Sequence, residues 1–148
     1  MNIVTTSNAP AAVGPYSQAV KTANLVFLSG QLGMDPSTGK LAGKMIESQV
    51  NQIFFNIIAV LSAAGTDLSS VVKTTVFLKN MDDFAKMNEL YRSNFGLHKP
   101  ARSTIQVAKL PLDALVEIEC VAVVGTLSKT NEVLSNSSSK TTAVAHES

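Results

Sequence analysis

The chain has 148 residues, 45% of them hydrophobic and 5% aromatic with no Trp, and its 12 basic and 11 acidic side chains leave a net charge of +1. That length and a mean hydropathy of +0.20 give one domain with a sizeable core of Val, Ile, Leu, Ala and Met, and exclude global disorder. Scattered, balanced charge argues against a nucleic-acid or acidic-membrane surface, the single Cys120 excludes an internal disulfide, and no apolar run reaches membrane-spanning length.

In chain order, Ile3 to Thr6 is a short strand candidate, followed by a small-residue segment and the turn Gly14-Pro15-Tyr16-Ser17-Gln18, in which Pro15 fixes the backbone before Tyr16. The first twenty residues hold no Arg or Lys, so neither a signal peptide nor a transit peptide is apparent and a cytoplasmic location is expected. Asn24 to Gln31 is a near-continuous apolar run ending in Ser29-Gly30-Gln31 and reads as a strand buried on both faces. Gly30 and Gly33 are read as turn residues, because neither the P-loop ending nor the dinucleotide fingerprint is present.

Ile46, Val50, Ile53, Phe54, Ile57, Leu61 and Ala64 recur at helical spacing, with Glu47, Gln49, Asn51 and Asn56 between them and Gly65 as the stop. A capped turn at Asp67 to Ser70 leads into the β-branched run Val71 to Leu78, where alternation puts Thr74 on one face with Val72 and Val76. Asn80 and Asp83 begin a second helix, whose buried stripe is Phe84, Met87, Leu90, Tyr91 and Phe95, and Gly96 ends it. Asn88 falls beside that stripe.

The most informative stretch runs from Pro100 to Cys120. Alternation places Arg102, Thr104 and Gln106 on one face of a first strand; in a second, Val116, Ile118, Cys120 and Ala122 form an apolar face opposite Glu117 and Glu119. Half-buried carboxylates are rare unless paired, so Arg102 on a neighbouring strand is their expected partner. Read on residues alone, that pair fits a structural ion pair as well as it fits a site. Cys120 reads as a small core residue. His98 and His146 stand apart from other ligand types, which leaves no metal-binding pattern.

Residues 127–148 are rich in Ser, Thr and Asn without periodicity and are expected to form a disordered tail beyond a domain at 1–126; the sequon at Asn136 falls in it. The element order strand, strand, helix, strand, helix, strand, strand gives an α+β fold, two helices on one face of a mixed sheet. Its other face carries apolar residues, and oligomerisation is the economical way to cover them.

The wording of the chain resembles the RidA/YjgF family of reactive enamine/imine deaminases. The resemblance rests on Ala9 to Val20, Ser29-Gly30-Gln31, Val72 to Leu78, Asp83-Phe84 with Asn88 and Tyr91, Pro100-Ala101-Arg102-Ser103 and Val116-Glu117-Ile118-Glu119, in order, over about residues 3 to 125. It implies a chorismate-mutase-like fold and a homotrimer with active sites in clefts between subunits. It also implies hydrolysis of 2-aminoacrylate, 2-iminopropionate and related imino acids to 2-keto acids and ammonia, without metal or cofactor.

By motif position, Arg102 is expected to bind the substrate carboxylate and Glu119 to position or activate water, while Tyr16, Ser29, Asn88 and Thr104 line the cleft. A planar guanidinium holds a carboxylate through two charged hydrogen bonds, and a glutamate can pass a proton from water to a leaving amine, so the chemistry agrees. Two positions depart from the family's wording: Lys99 stands where members often carry an aromatic residue, and Thr104 where some carry Cys. Glu117 shares the face of Glu119, so the residues alone leave their roles interchangeable. The competing reading is a ligand-binding, chaperone-like or translation-inhibiting (ribonuclease) member of the family. A basic groove and stacking aromatics, which ribonuclease activity calls for, are lacking in the composition.

Overall fold

The computed structural model describes residues 1–125. The expected tail at 127–148, with Asn136 and His146, lies outside the described residues. Eight strands and two helices follow one another as β1 (Asn2–Val4), β2 (Ala19–Thr22), β3 (Leu25–Leu32), β4 (Met34–Asp35), β5 (Lys40–Leu41), α1 (Ile46–Ala64), β6 (Val71–Leu78), α2 (Phe84–Phe95), β7 (Ala101–Gln106) and β8 (Val116–Val123). Six strands form one mixed sheet in the order β1-β2-β3-β8-β6-β7, while β4 and β5 make a small hairpin. Only β6 and β7 are parallel. A parallel pair needs a crossover, and α2 supplies it, which carries β7 past β6 to the sheet edge.

Both helices lie on one face of the sheet, as the spacing of their apolar residues predicts. Val26, Leu28, Val76, Leu78, Val116, Ile118, Cys120 and Ala122 point under them and are buried together with Val50, Ile53, Phe54, Ile57, Leu61, Met87 and Phe95. Gly65 ends α1 in the left-handed region at φ 84° and donates its N–H to Ser62, the conformation that glycine adopts without a Cβ penalty. Asn80 caps a short 3₁₀ turn at Met81–Asp83, accepting from the Asp82 N–H, and α2 starts directly after it. No helix among the described residues is long and apolar enough to cross a membrane.

Three details differ from the sequence pattern. β3 is not buried on both faces: Val26 and Leu28 point inward, but Phe27 points outward and is 44% exposed. A bulge between Val71 and Lys73 breaks alternation in β6, so Val72 faces away from Thr74 rather than with it. Gln49 and Asn56, polar positions of α1, are buried because backbone groups of nearby loops need partners there. The Gln49 amide donates to the Gly43 carbonyl at 2.9 Å and accepts from the Leu115 N–H at 2.8 Å, and Asn56 donates to the Leu32 and Met34 carbonyls. Gly33 meets the same helix so closely that a Cβ would sit 2.6 Å from the Gln49 backbone.

Candidate active site

Arg102 is the second residue of the edge strand β7, paired in register with Thr74 of β6 on the helix-covered face. Its guanidinium carbon lies 4.7 Å from the centre of the Tyr91 ring and 5.6 Å from that of Phe84. Such cation–π contact contributes about 0.5–2 kcal/mol. Nη1 donates to Asn88 Oδ1 at 2.8 Å. No ion pair among the described residues includes Arg102, so most of its five donors stay available in a half-buried setting.

Tyr91 is held in turn by Thr74, hydroxyl to hydroxyl at 2.7 Å. Burial pushes its phenol pKa up, against the opposing pull of the Thr74 hydrogen bond and the Arg102 charge, so the ring remains a neutral platform. Thr104, two residues along the same face, carries the one buried side-chain polar atom among the described residues without a hydrogen-bond partner. Leaving a hydroxyl so costs about 1–3 kcal/mol, and a bound molecule or neighbouring group would relieve it. Asn88, Tyr91, Pro100 and Arg102 line a cleft of about 560 Å³.

The acidic residues lie elsewhere. Glu119 is exposed and Glu117 half-buried on the outer face of β8, and both line a second cleft of about 720 Å³ with Tyr16, Ser29, Gly30 and Leu112. Ser29 donates its hydroxyl to the Ser17 carbonyl at 2.6 Å, and the Tyr16 hydroxyl accepts from the Val13 N–H at 3.3 Å. Gln18, buried behind this rim, accepts from the Thr6 N–H at 2.7 Å and donates to the Thr6 and Pro10 carbonyls at 3.0 and 2.8 Å. One side chain thereby fixes the loop that carries Tyr16.

Gly30 makes room for the Glu117 carboxyl: a Cβ there would lie 2.9 Å from Glu117 Cδ. Burial, and secondarily the negative Glu119, raise the Glu117 pKa above its ordinary 4.5. The raised value means that Glu117 contributes stability below its ordinary pKa and that this is lost as pH rises through the folded-state value. Glu117→Gln, which cannot ionise, should therefore gain in melting temperature over the wild type progressively as pH rises above the ordinary Glu value of 4.5. Parallel melting curves above that value would contradict the assignment. Cys120 is buried with its pKa pushed up to about 12 by burial and then Glu119, so it is a core thiol and not a nucleophile.

Arg102 and the glutamates are thus not partners within the chain. β6 separates β7 from β8, and Thr75 pairs with Glu119 on the outer face whereas Thr74 pairs with Arg102 on the inner one. The expected ion pair fails because α2 carries β7 beyond β6. Tyr16, Ser29 and Glu119 gather in the outer cleft, Asn88 and Arg102 in the inner one, and Thr104 lies in neither lining but on the Arg102 face. Sequence reading placed Tyr91 and Phe84 in the helix stripe and in the family's wording but gave neither a role at the site; their contact with Arg102 depends on the parallel register of β6 and β7, which periodicity does not encode.

Comparison with known proteins gives a consistent result. The family model described as Endoribonuclease L-PSP matches residues 6–124. "Reactive Intermediate Deaminase A, chloroplastic" from Arabidopsis thaliana is 54% identical over 120 residues, 81% of this chain and 64% of that protein. The chain therefore spans just under two thirds of that relative's length. The "2-iminobutanoate/2-iminopropanoate deaminase" of Homo sapiens is 45% identical over 125 residues, 84% of this chain and 91% of that protein. A crystal structure of TdcF from E. coli with bound serine superposes with a TM-score of 0.81 at 39% identity, covering 84% of this chain and all of that one.

Proposed function

Since this chain belongs to the RidA/YjgF family, the family of the endoribonuclease L-PSP model, we propose that it hydrolyses 2-imino acids, with 2-iminopropionate and 2-iminobutanoate as the reference substrates, to 2-keto acids and ammonia. The observation that carries this reading is Arg102: a half-buried guanidinium over the Tyr91 ring, steadied by Asn88 and without a carboxylate partner among the described residues. That is the arrangement which takes a substrate carboxylate through two charged hydrogen bonds. Names carried by relatives at 45–54% identity support the same reaction.

In the proposed reaction Arg102 holds the substrate carboxylate and places the C=N carbon beside Glu119. Glu119 takes a proton from water as the oxygen adds to that carbon, and the proton passes to the nitrogen. The resulting carbinolamine loses ammonia as its hydroxyl becomes the ketone, so one water is consumed and one ammonia released. Ser29 and Tyr16 border the same cleft and are placed to steady the water or the leaving nitrogen.

Because Arg102 and Glu119 occupy opposite faces of the sheet, the reading requires a second chain. We propose a homotrimer in which Arg102, Asn88 and Thr104 of one subunit meet Tyr16, Ser29 and Glu119 of the next. Exposed Phe27, Val72 and Ile105 on the uncovered sheet face are apolar surface that such association would bury.

The test generates 2-iminopropionate with an amino-acid oxidase and lets semicarbazide compete for it. The purified protein should suppress trapping and release pyruvate, and light scattering should give three times 15.6 kDa. A monomer, or trapping unaffected by the protein, overturns the proposal.

A further inference from the structure

The cleft beside α2 holds more positive charge than one carboxylate calls for. Both arginines of the chain, Arg92 and Arg102, line it together with Lys99, and no Asp or Glu does. None of the three is in an ion pair among the described residues, whereas Lys79 pairs with Asp113 and Lys86 with Glu47 and Glu89. Like charges gathered without counter-ions repel one another, and a dianion offsets that repulsion better than a monoanion. Phe95 and Pro100 line the same cleft; Arg102 is half-buried in it, and Arg92 and Lys99 reach it from exposed positions at its rim.

These cations are set on fixed supports. Arg92 stands in the last turn of α2, which Gly96 ends at φ 64°. Lys99 follows His98, whose Nε2–H donates to the Val71 carbonyl at 2.6 Å and ties the connecting loop to β6. Arg102 is fixed by β7, Asn88 and Tyr91. The cleft volume of about 560 Å³ leaves room for more than a three-carbon imino acid.

We infer that Lys99, with Arg92 at the rim, forms a second anion position beside Arg102, so that the chain accepts 2-imino acids carrying a second carboxylate, of the 2-iminosuccinate and 2-iminoglutarate type. The inference rests on the proposed deaminase reading, in which Arg102 takes the carboxylate next to the imine carbon. The added charge reaches Lys99 along the substrate's own side chain. The bonds made and broken are those of the same hydrolysis, with water consumed and ammonia released, so no further reactant is involved.

The experiment runs the semicarbazide competition on 2-iminoglutarate, made from D-glutamate by D-aspartate oxidase, beside 2-iminopropionate made from D-alanine. The wild type should clear both, and Lys99→Met should lower the 2-iminoglutarate to 2-iminopropionate ratio of kcat/KM about tenfold, chiefly through KM. Arg92→Met should lower it less. Clearance of 2-iminopropionate with no clearance of 2-iminoglutarate, or an unchanged ratio in Lys99→Met, overturns the second anion position while leaving the deaminase reading intact. If neither imine is cleared, the deaminase reading falls, and calorimetric titration decides the anion position by itself. There, 2-oxoglutarate should bind more tightly than pyruvate and lose that advantage in Lys99→Met, and equal affinities overturn it.

Discussion

Glu119→Gln should lower kcat for 2-iminopropionate by about 10² to 10⁴, the contribution a positioned proton carrier makes, with little change in KM. The amide keeps the size of the side chain and its hydrogen-bonding reach, but it cannot take the proton that water gives up. Glu119 is exposed on the outer sheet face, so the change should leave stability within about 0.5 kcal/mol. Glu117→Gln is the internal control. Its carboxyl sits behind Glu119 against Gly30 with a raised pKa, and its loss should reduce kcat far less. A severe loss in Glu117→Gln with activity kept in Glu119→Gln would exchange the two roles.

Arg102→Ala should lower kcat/KM by roughly tenfold to a hundredfold, because a charge-assisted hydrogen-bond pair to a carboxylate is worth on the order of 1.5 to 3 kcal/mol. Arg102→Lys should restore little of it. Lysine retains the charge but not the planar fork, and it stacks less well over Tyr91. The substitution leaves Asn88 at the half-buried margin of α2, where water can take over the freed carbonyl, so the melting temperature should fall only slightly. Full kcat/KM in Arg102→Ala would remove the residue from the site.

Periodicity revealed the supports of the site better than its assembly. The apolar spacing from Ile46 to Ala64 with Gly65 beyond it, and that from Phe84 to Phe95 before Gly96, matches α1 and α2, because helix burial repeats with the turn. Ala19–Thr22 and the Met34–Asp35 and Lys40–Leu41 hairpin escaped notice: each is two to four residues long, too short to show alternation. The bulge at Val71/Lys73 resets the parity of β6, which is why Val72 faces outward, whereas Phe27 faces outward by plain alternation between Val26 and Leu28, a side that a near-continuous apolar run hides.

The six site residues came from family wording, with alternation dividing Arg102 and Thr104 from their neighbours correctly along β7. What no period encodes is strand adjacency. The insertion of β6 between Arg102 and Glu119, and the opposite faces the two occupy, follow from the α2 crossover alone. Buried Gln18 and Gln49 likewise look like ordinary polar residues in sequence, and only the carbonyls and N–H groups they serve reveal them as clamps on the outer cleft and on α1.

The most direct test of a site shared between chains is complementation. Arg102→Ala and Glu119→Gln subunits, co-expressed with different tags and purified as mixed trimers, are assayed for pyruvate release from 2-iminopropionate. Assayed below KM, Arg102→Ala alone should keep roughly 1–10% of the wild-type activity and Glu119→Gln alone about 1% or less. Random mixing should restore about a quarter of the sites to full composition, since one interface in four then joins an intact Arg102 to an intact Glu119 across the boundary. Mixed trimers no more active than the sum of their parents would place both residues in one chain's site, or outside it, and would contradict the account.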